Sequence, residues 1–321
     1  MPHMAETMKV LIGNSGESFL SKVRALSNDI ELVSPQQVKE DPDLLSQIEV
    51  AFGGLGSKEL PRAGRLRWLQ TAGAGVNGLI TPELRDSDVI VTNASGIHAE
   101  PITEHMFGML LMVTRRLAEA WDQQKTRQWR GYDFGKNLGM LAGKTLGVLG
   151  VGAIGGHSAK VGQAFGMRVL GLRRSGEPHP CVERMYVHDE RLDFYRQSDV
   201  VMNSLPLTEK TRNAMSWEEL AVLPRGAIVI NTGRGATINT DALMAALRED
   251  RLGAALLDVT DPEPLPEDHP LWTMENVYIT PHYSGGHPGY DERAGQIFLE
   301  NLRRYLAGQP MINVVDKREG Y

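Results

Sequence analysis

This sequence has almost no cysteine, and it has neither a long apolar run nor a block of basic residues. Cys181 is the single cysteine among 321 residues, which excludes an internal disulfide framework and fits a reducing compartment. No run of about 18 apolar residues occurs, although a membrane-spanning helix requires one. The net charge is −6 and no block of basic residues is present, so we expect no nucleic-acid partner.

The beginning of the chain also lacks a recognisable targeting signal. Met1 to Met8 is too short and too polar for a signal peptide. We therefore expect a cytoplasmic protein with no membrane partner.

Several catalytic patterns are missing as well. The sequence contains neither the H-E-x-x-H motif of zinc enzymes nor the G-x-S-x-G motif of serine hydrolases. Cys181 has no partner at a spacing suited to metal or thiol chemistry. We predict no metal site.

A glycine-rich turn is the most informative feature that is present. The apolar run Leu146 to Leu149 leads directly into Gly150-Val151-Gly152-Ala153-Ile154-Gly155, and helix-compatible sequence then continues to Phe165. A strand, a G-x-G-x-x-G turn and a helix form the dinucleotide-binding motif. Free N–H groups at the helix start, near Ala153 and Ile154, would face the pyrophosphate. The alternative is an ordinary glycine-rich turn in an α/β domain.

The end of the following strand bears on the choice of cofactor. NAD-binding proteins have an acidic residue about 20 positions beyond the glycines, whereas arginine there suits the 2′-phosphate of NADP. Here Arg173, Arg174 and Ser175 follow the strand, and the first carboxylate is Glu177. A charge-assisted hydrogen bond of about 1.5–3 kcal/mol would shift the preference roughly ten- to hundredfold. NADP is therefore favoured over NAD, unless the two arginines are only solvated surface residues.

Strand-like and helix-like segments alternate along the whole chain, which predicts an α/β fold with parallel sheets. At 321 residues, 41% of them hydrophobic, the chain suggests about two domains. Pro101 to Leu117 is predicted as a long buried helix and Pro288 to Leu306 as the last helix. We expect the last helix to return to the first domain. The predicted boundaries are 1–100 plus 289–321 for a discontinuous substrate domain and 101–288 for the nucleotide domain.

Three polar residues follow predicted strands in the nucleotide half, where ligands bind in open α/β sheets. Arg234 lies between two glycines, Glu263 lies in a proline-rich loop, and His282 precedes two glycines. An arginine fork suits a carboxylate, although a capping or surface arginine is the alternative. Imidazolium can protonate the oxygen formed when a hydride reaches a carbonyl, and a nearby carboxylate favours its charged form. The trio predicts hydride-transfer chemistry on a carboxylate-bearing substrate.

With these residues identified, the chain resembles the D-isomer-specific 2-hydroxyacid dehydrogenases. The resemblance extends over nearly the whole chain. Its motifs include LRWLQTAGAGVNGL at 66–79, VTNASGIHAEPITEH at 91–105, GAIVINTGRG at 226–235, LDVTDPEPLPEDHPLW at 257–272 and TPH at 280–282. It implies two Rossmann-like or flavodoxin-like domains that close on a 2-oxo acid, and a homodimer.

The resemblance also implies residue roles. Arg234, Glu263 and His282 would be the substrate arginine, the carboxylate partner and the acid/base, and the N–H groups of Ala74, Gly75 and Val76 would bind the substrate carboxylate. Further residues are implied to line the cofactor site: Leu205, Pro206, Thr211, Thr232, Gly233, Asp258, Ser284 and Gly285.

The predicted function is NADPH-dependent reduction of a small 2-oxo acid such as glyoxylate or hydroxypyruvate, with NAD as a possible alternative cofactor. The Arg173-Arg174-Ser175 run resembles that of the glyoxylate/hydroxypyruvate reductases. Asn77 and His98 depart from the family pattern, since many members have aspartate at the first position and asparagine is common at the second. These departures leave the identity of the acid open. A phosphite dehydrogenase and a dinucleotide-sensing corepressor on the same scaffold are the alternatives.

Overall fold

The computed structural model describes residues 7–13, 15–76, 78–131 and 138–320. Contacts divide the chain into two compact units. The first runs to Ile97 and resumes at His287, and the second is His98–Gly286. The first unit is therefore assembled from two separate parts of the chain.

A five-stranded parallel sheet forms the centre of the first unit, in the order β2-β1-β3-β4-β5. This is the order of the flavodoxin-like sheet. The five strands are β1 Met8–Ile12, β2 Ile30–Val33, β3 Ile48–Phe52, β4 Trp68–Gln70 and β5 Ile90–Thr92. Their helices are α1 Glu17–Arg24, α2 Pro35–Glu40 and α3 Pro82–Asp86, with the last helix of the chain, α10, at Tyr290–Leu306.

Helix α10 completes the core of the first unit. Its Phe298 is fully buried and stacks against Phe52 of β3 at 4.6 Å and against Trp68 of β4 at 5.1 Å between ring centroids. Such aromatic pairs stabilise a core beyond the area that they bury. The predicted return of the last helix to the first part of the chain is confirmed.

A seven-stranded parallel sheet forms the centre of the second unit, in the order β12-β11-β10-β9-β6-β7-β8. The strands are β6 Thr145–Leu149, β7 Arg168–Leu172, β8 Arg184–Tyr186, β9 Val200–Asn203, β10 Ala227–Asn231, β11 Leu252–Leu257 and β12 Val277–Ile279. The order extends the Rossmann arrangement by one strand, and it reverses direction between β6 and β9. The predicted α/β fold with two parallel sheets is confirmed.

The helices of the second unit are α4 Ala99–Thr114, α5 Leu117–Lys125, α6 Ala153–Ala164, α7 Arg191–Arg196, α8 Trp217–Val222 and α9 Thr240–Arg248. The helix predicted over Pro101 to Leu117 is shorter, because Arg116 takes a left-handed conformation with φ of 53° and α5 begins after it. Neither glycine nor proline marks this break in the sequence. Within the described residues, no helix has the length and apolar character needed to cross a bilayer.

Candidate active site

The glycine turn connects β6 to α6, as its sequence predicts. Gly150 has φ of 93°, a value that residues other than glycine rarely adopt. A Cβ atom on Gly155 would lie 2.2 Å from the carbonyl oxygen of Gly150, so only glycine allows the helix to approach the strand this closely. A Cβ atom on Gly152 would have no neighbour within 4 Å. There is therefore room for a ligand in front of the helix, where the first N–H groups of α6 have no intrahelical partner.

The loops that follow β9 and β10 pack beside this turn. Ser204 donates from Oγ to the carbonyl oxygen of Gly150 at 2.9 Å. A Cβ atom on Gly233 would lie 2.6 Å from the carbonyl oxygen of Leu205, so these two loops also touch. Thr211 donates to the carbonyl of Pro206 at 2.6 Å. The fold thus brings the predicted cofactor residues of three strand ends together at the point where the strand order reverses.

Thr232 and the arginine pair complete the predicted cofactor set. Thr232 follows β10, is buried, and has its hydroxyl 3.5 Å from the sulfur of Met106. Arg173 follows β7 and donates from its guanidinium to the carbonyl of Val151, in the glycine turn, at 3.3 Å. It also forms an ion pair with Glu177 at 3.3 Å. Contacts of these residues with a cofactor stay predictions, but the glycine turn and the side chains around it fit a dinucleotide.

Arg234 lies in the loop between β10 and a short 3₁₀ helix, Gly235–Thr237. Its Nη1 donates to the carbonyl of Gly233 at 2.7 Å, and its own carbonyl accepts from Thr237 Oγ1 at 2.6 Å. A Cβ atom on Gly235 would lie 1.9 Å from the carbonyl oxygen of Thr260. The loop that carries Arg234 is therefore packed directly against the loop that follows β11.

Glu263 and His282 are joined by a hydrogen bond between Oε1 and Nδ1. The side chains remain 39% and 47% exposed, respectively, so a ligand can reach the pair. Because Nδ1 donates to the carboxylate, Nε2 is the ring nitrogen available to a substrate. His282 has φ of 50°, and its N–H donates to the carbonyl of Asp258 at 2.9 Å. The pairing predicted from sequence is thus formed in the structure.

The carboxylate of Asp258 anchors the loop that carries His282. Asp258 is 2% exposed and accepts hydrogen bonds from the hydroxyl of Thr280 at 2.7 Å, from the N–H of Tyr283 at 3.2 Å and from the N–H of Ser284 at 3.1 Å. The Ser284 hydroxyl also donates to this carboxylate. Sequence analysis assigned Asp258 and Ser284 to the cofactor site, and that assignment stays a prediction. Their described contacts give them a structural role beside His282.

Two further histidines contact this loop. His105, on α4, has Nε2 at 3.0 Å from the Thr280 hydroxyl and at 3.9 Å from Asp258 Oδ1. Burial lowers the pKa of His105 below its ordinary value, and the carboxylate of Asp258 only partly opposes this. His98 has Nδ1 at 3.3 Å from the carbonyl oxygen of Gly285. No sequence signal indicated how close His105 lies to Thr280.

The predicted carboxylate-binding segment belongs to the first unit, where it follows β4. Ala74 is half-buried, Gly75 is exposed, and Val76 packs into the core at 3% exposure. Asn77, the position that departs from the family, lies outside the described residues. The segment itself can therefore be reached by a small anion at Ala74 and Gly75.

Comparisons with known proteins agree with the fold. Residues 107–284 match the family model described as D-isomer specific 2-hydroxyacid dehydrogenase, NAD binding domain. A glyoxylate reductase from Aeropyrum pernix is 33% identical over 306 residues, which are 94% of this chain and 86% of that relative.

Two solved structures are also similar over nearly the whole chain. A D-isomer specific 2-hydroxyacid dehydrogenase family protein from Aeromonas salmonicida has a TM-score of 0.85 at 32% identity, over 98% of this chain and 100% of that chain. An NADPH-dependent glyoxylate/hydroxypyruvate reductase from Sinorhizobium meliloti, solved in complex with NADP and sulfate, has a TM-score of 0.83 at 26% identity, with the same coverage.

Proposed function

The chain belongs to the D-isomer-specific 2-hydroxyacid dehydrogenase family, and we propose that it reduces a small 2-oxo acid, such as glyoxylate or hydroxypyruvate, with NADPH. The product is the D-2-hydroxy acid, or achiral glycolate when the substrate is glyoxylate, and the reverse oxidation uses the same residues. The observation that carries the proposal is the hydrogen bond between Glu263 and His282 at the ends of neighbouring strands β11 and β12.

His282 is the acid in the reducing direction. NADPH supplies a hydride to C2 of the acid when it is bound. The carbonyl oxygen then needs a proton, which Nε2 of the imidazolium donates. Glu263 fixes the ring through Nδ1 and stabilises its charged form. In the direction of oxidation the neutral ring accepts the proton from the hydroxyl group.

Arg234 and the amides of Ala74, Gly75 and Val76 are proposed to bind the substrate carboxylate. A guanidinium presents two parallel N–H donors that match two carboxylate oxygens. Consecutive backbone N–H groups form an anion-binding concavity. Arg234 also polarises the substrate carbonyl, which makes C2 more electrophilic.

The cofactor preference is proposed from the residues after β7. Arg173 and Arg174 provide positive charge where NAD-binding proteins have a carboxylate, and Ser175 adds a hydroxyl group. The NADP bound to the Sinorhizobium meliloti reductase supports the same preference. The glycine turn with Ala153 and Ile154 is proposed to bind the pyrophosphate.

Initial rates of NADPH and NADH oxidation test the proposal, with glyoxylate, hydroxypyruvate, pyruvate and phenylpyruvate as substrates. We expect turnover with NADPH on at least one of the smaller acids. A strong preference for NADH would contradict the assignment of Arg173 and Arg174 while leaving the chemistry intact. If no acid were reduced although NADPH bound, the proposed activity would be wrong, and NAD reduction by phosphite would be measured next.

We also propose that the protein is a homodimer, as its resemblance to the family implies. Light scattering coupled to size-exclusion chromatography tests this directly. The expected mass is twice the 35.4 kDa of one chain, and a single species at 35.4 kDa would contradict the proposal.

A further inference from the structure

In the loop after β4, the carbonyl groups of Gly73 and Ala74 accept hydrogen bonds from donors of the same unit. The carbonyl oxygen of Gly73 accepts from the hydroxyl of Thr71 at 2.7 Å and from the N–H of Ala94 at 3.0 Å. The carbonyl oxygen of Ala74 accepts from Nδ2 of Asn93 at 2.8 Å. Both peptide groups are therefore fixed in orientation.

The orientation of the Asn93 amide is itself determined by the structure. Its Oδ1 accepts from the N–H of Ser95 at 3.0 Å, so the other end of the amide must be the donor that faces Ala74. Asn93 is 8% exposed, so its side chain is largely shielded from bulk water.

Fixing the carbonyl groups also fixes the N–H groups that follow them. In a trans peptide the C=O and the next N–H point in nearly opposite directions. The N–H of Ala74 therefore points away from Thr71 and Ala94, and the N–H of Gly75 points away from Asn93. Two successive donors are directed out of the unit at a point where Gly75 is exposed.

The last part of the described chain fixes Asn93 in turn. Nδ2 of Asn313 donates to the carbonyl of Asn93 at 3.3 Å and to that of Ser95 at 2.9 Å. The N–H of Asn93 donates to the carbonyl of Asn313 at 3.2 Å. The main chain of Asn93 is thus held by Asn313, while its side chain orients the carbonyl group of Ala74.

We propose that Asn93 is a positioning residue, which binds no substrate atom but orients the Ala74–Gly75 peptide so that its N–H faces the substrate carboxylate. The proposal rests on the proposed function for the identity of the anion. Without the Asn93 donor, that peptide can rotate and present its carbonyl oxygen to the anion, which repels it. Because the carboxylate is bound in both the ground state and the transition state, the loss falls on KM and not on kcat.

Asn93→Asp is the sharpest test. The substitution keeps an oxygen for the N–H of Ser95 but replaces the donor to Ala74 by a second acceptor. We expect KM for glyoxylate to rise about ten- to hundredfold, with kcat within about threefold of the wild-type value. Asn276→Asp makes the same chemical change at a half-buried amide of the second unit, where Nδ2 donates to the carbonyl of Leu247 at 3.3 Å, and it should change KM less than about threefold. Thermal unfolding and NADPH affinity are measured on both variants.

A second variant covers the case in which Asn93→Asp does not fold. Thr71→Val removes the hydroxyl donor to Gly73 with almost no change of shape, and we expect KM to rise about three- to tenfold. Unchanged KM in a folded Asn93→Asp, or in Thr71→Val when Asn93→Asp does not fold, would overturn the proposal. An equal rise of KM in Asn276→Asp would do the same, since the effect would then follow from an Asn→Asp change remote from the loop.

A readout independent of turnover separates this inference from the proposed function. In the NADP-bound wild-type protein, labelled with ¹⁵N-glycine and ¹⁵N-alanine, we expect the amide signals of Ala74 and Gly75 to shift when oxalate is added. Those shifts should be lost in Asn93→Asp, or weakened in Thr71→Val. If the wild-type protein reduced no 2-oxo acid but these shifts were observed, the inference would stand without the proposed function. No shift in the wild-type protein would overturn it.

Discussion

Glu263 orients the imidazole of His282 through Nδ1, so that Nε2 is the nitrogen available for proton transfer. This hydrogen bond orients the imidazole before a substrate binds. The two residues follow adjacent parallel strands, β11 and β12, whose carboxyl ends meet at one edge of the sheet. The order of the strands in the sheet therefore places the proposed proton donor beside its carboxylate partner.

Removal of the imidazole should abolish most of the activity. We expect His282→Ala to lower kcat by about 10²–10⁴-fold, the contribution typical of a general acid. NADPH affinity should be unchanged, as measured by fluorescence titration. His188→Ala, at an exposed 3₁₀ turn, is the matched control, and near-wild-type turnover in His282→Ala would exclude the assigned role.

Substitution of the second and third glycines of the G-x-G-x-x-G turn should have different effects. Gly155→Ala places a Cβ atom against the carbonyl of Gly150, and we expect a loss of about 1–3 kcal/mol in the free energy of unfolding from overpacking. Gly152→Ala meets no protein atom, so stability should be retained while the Kd for NADPH rises at least about tenfold. Urea unfolding and cofactor titration measure the two effects. Equal behaviour of the variants would contradict the assignment of these glycines.

Asp258 should stabilise the loop that carries His282. Asp258→Asn turns one acceptor oxygen into a donor that faces the N–H groups of Tyr283 and Ser284. Leaving buried donors unpaired costs about 1–3 kcal/mol each, so we expect lower stability in urea together with lower kcat. Asp250→Asn, on an exposed turn, is the control. A fully stable Asp258→Asn would show that the loop is held by other contacts.

His105 should make stability depend on pH. Burial lowers its pKa in the folded protein, so below about pH 6.5, the ordinary histidine value, the unfolded chain takes up the proton more readily. The stabilising contribution is thus complete above that pH and is lost as the pH falls through the lowered pKa. His105→Gln should lose less stability than wild type between pH 7 and pH 5 in thermal unfolding. Parallel curves for the two proteins would contradict this.

Arg174 should contribute to cofactor choice with little effect on the reaction itself. We expect Arg174→Ala to lower the ratio of kcat/KM for NADPH to that for NADH by about ten- to hundredfold, because a charge-assisted contact to the 2′-phosphate is lost. The NADH value should hardly change. Arg173 serves less well as a test because it also binds the carbonyl of Val151. An unchanged ratio would mean that Arg174 is only a solvated surface residue.

Much of the fold could be predicted because apolar runs and glycines encode it locally. The apolar run Leu146 to Leu149 and the spacing of the glycines after it predicted β6, the Gly150 turn and α6. The break at Arg116 was missed, because its left-handed conformation has no local sequence signal. The strand β8 was also missed, because Arg184-Met185-Tyr186 is not an apolar run.

The candidate site was likewise predicted only in part. His282 was predicted because it follows a strand and precedes two glycines, and Glu263 because a proline-rich loop surrounds it. Their hydrogen bond is observed, and their catalytic roles stay predictions. The anchoring role of Asp258 and the bracing of Ala74 by Asn93 were not predicted. Both depend on hydrogen bonds between segments 19 or more residues apart, and the residue types alone do not determine such partners.

The discontinuity of the first unit has a consequence for synthesis on the ribosome. Its five strands emerge first, yet Phe298 of α10, which stacks on Phe52 and Trp68, emerges 206 residues after Thr92, the end of β5. The second unit is continuous and can complete its sheet while the first still exposes an aromatic face. The segment made first is therefore the last to complete its core. Until α10 has been synthesised, we expect the nascent chain to be most prone to aggregation and to chaperone binding.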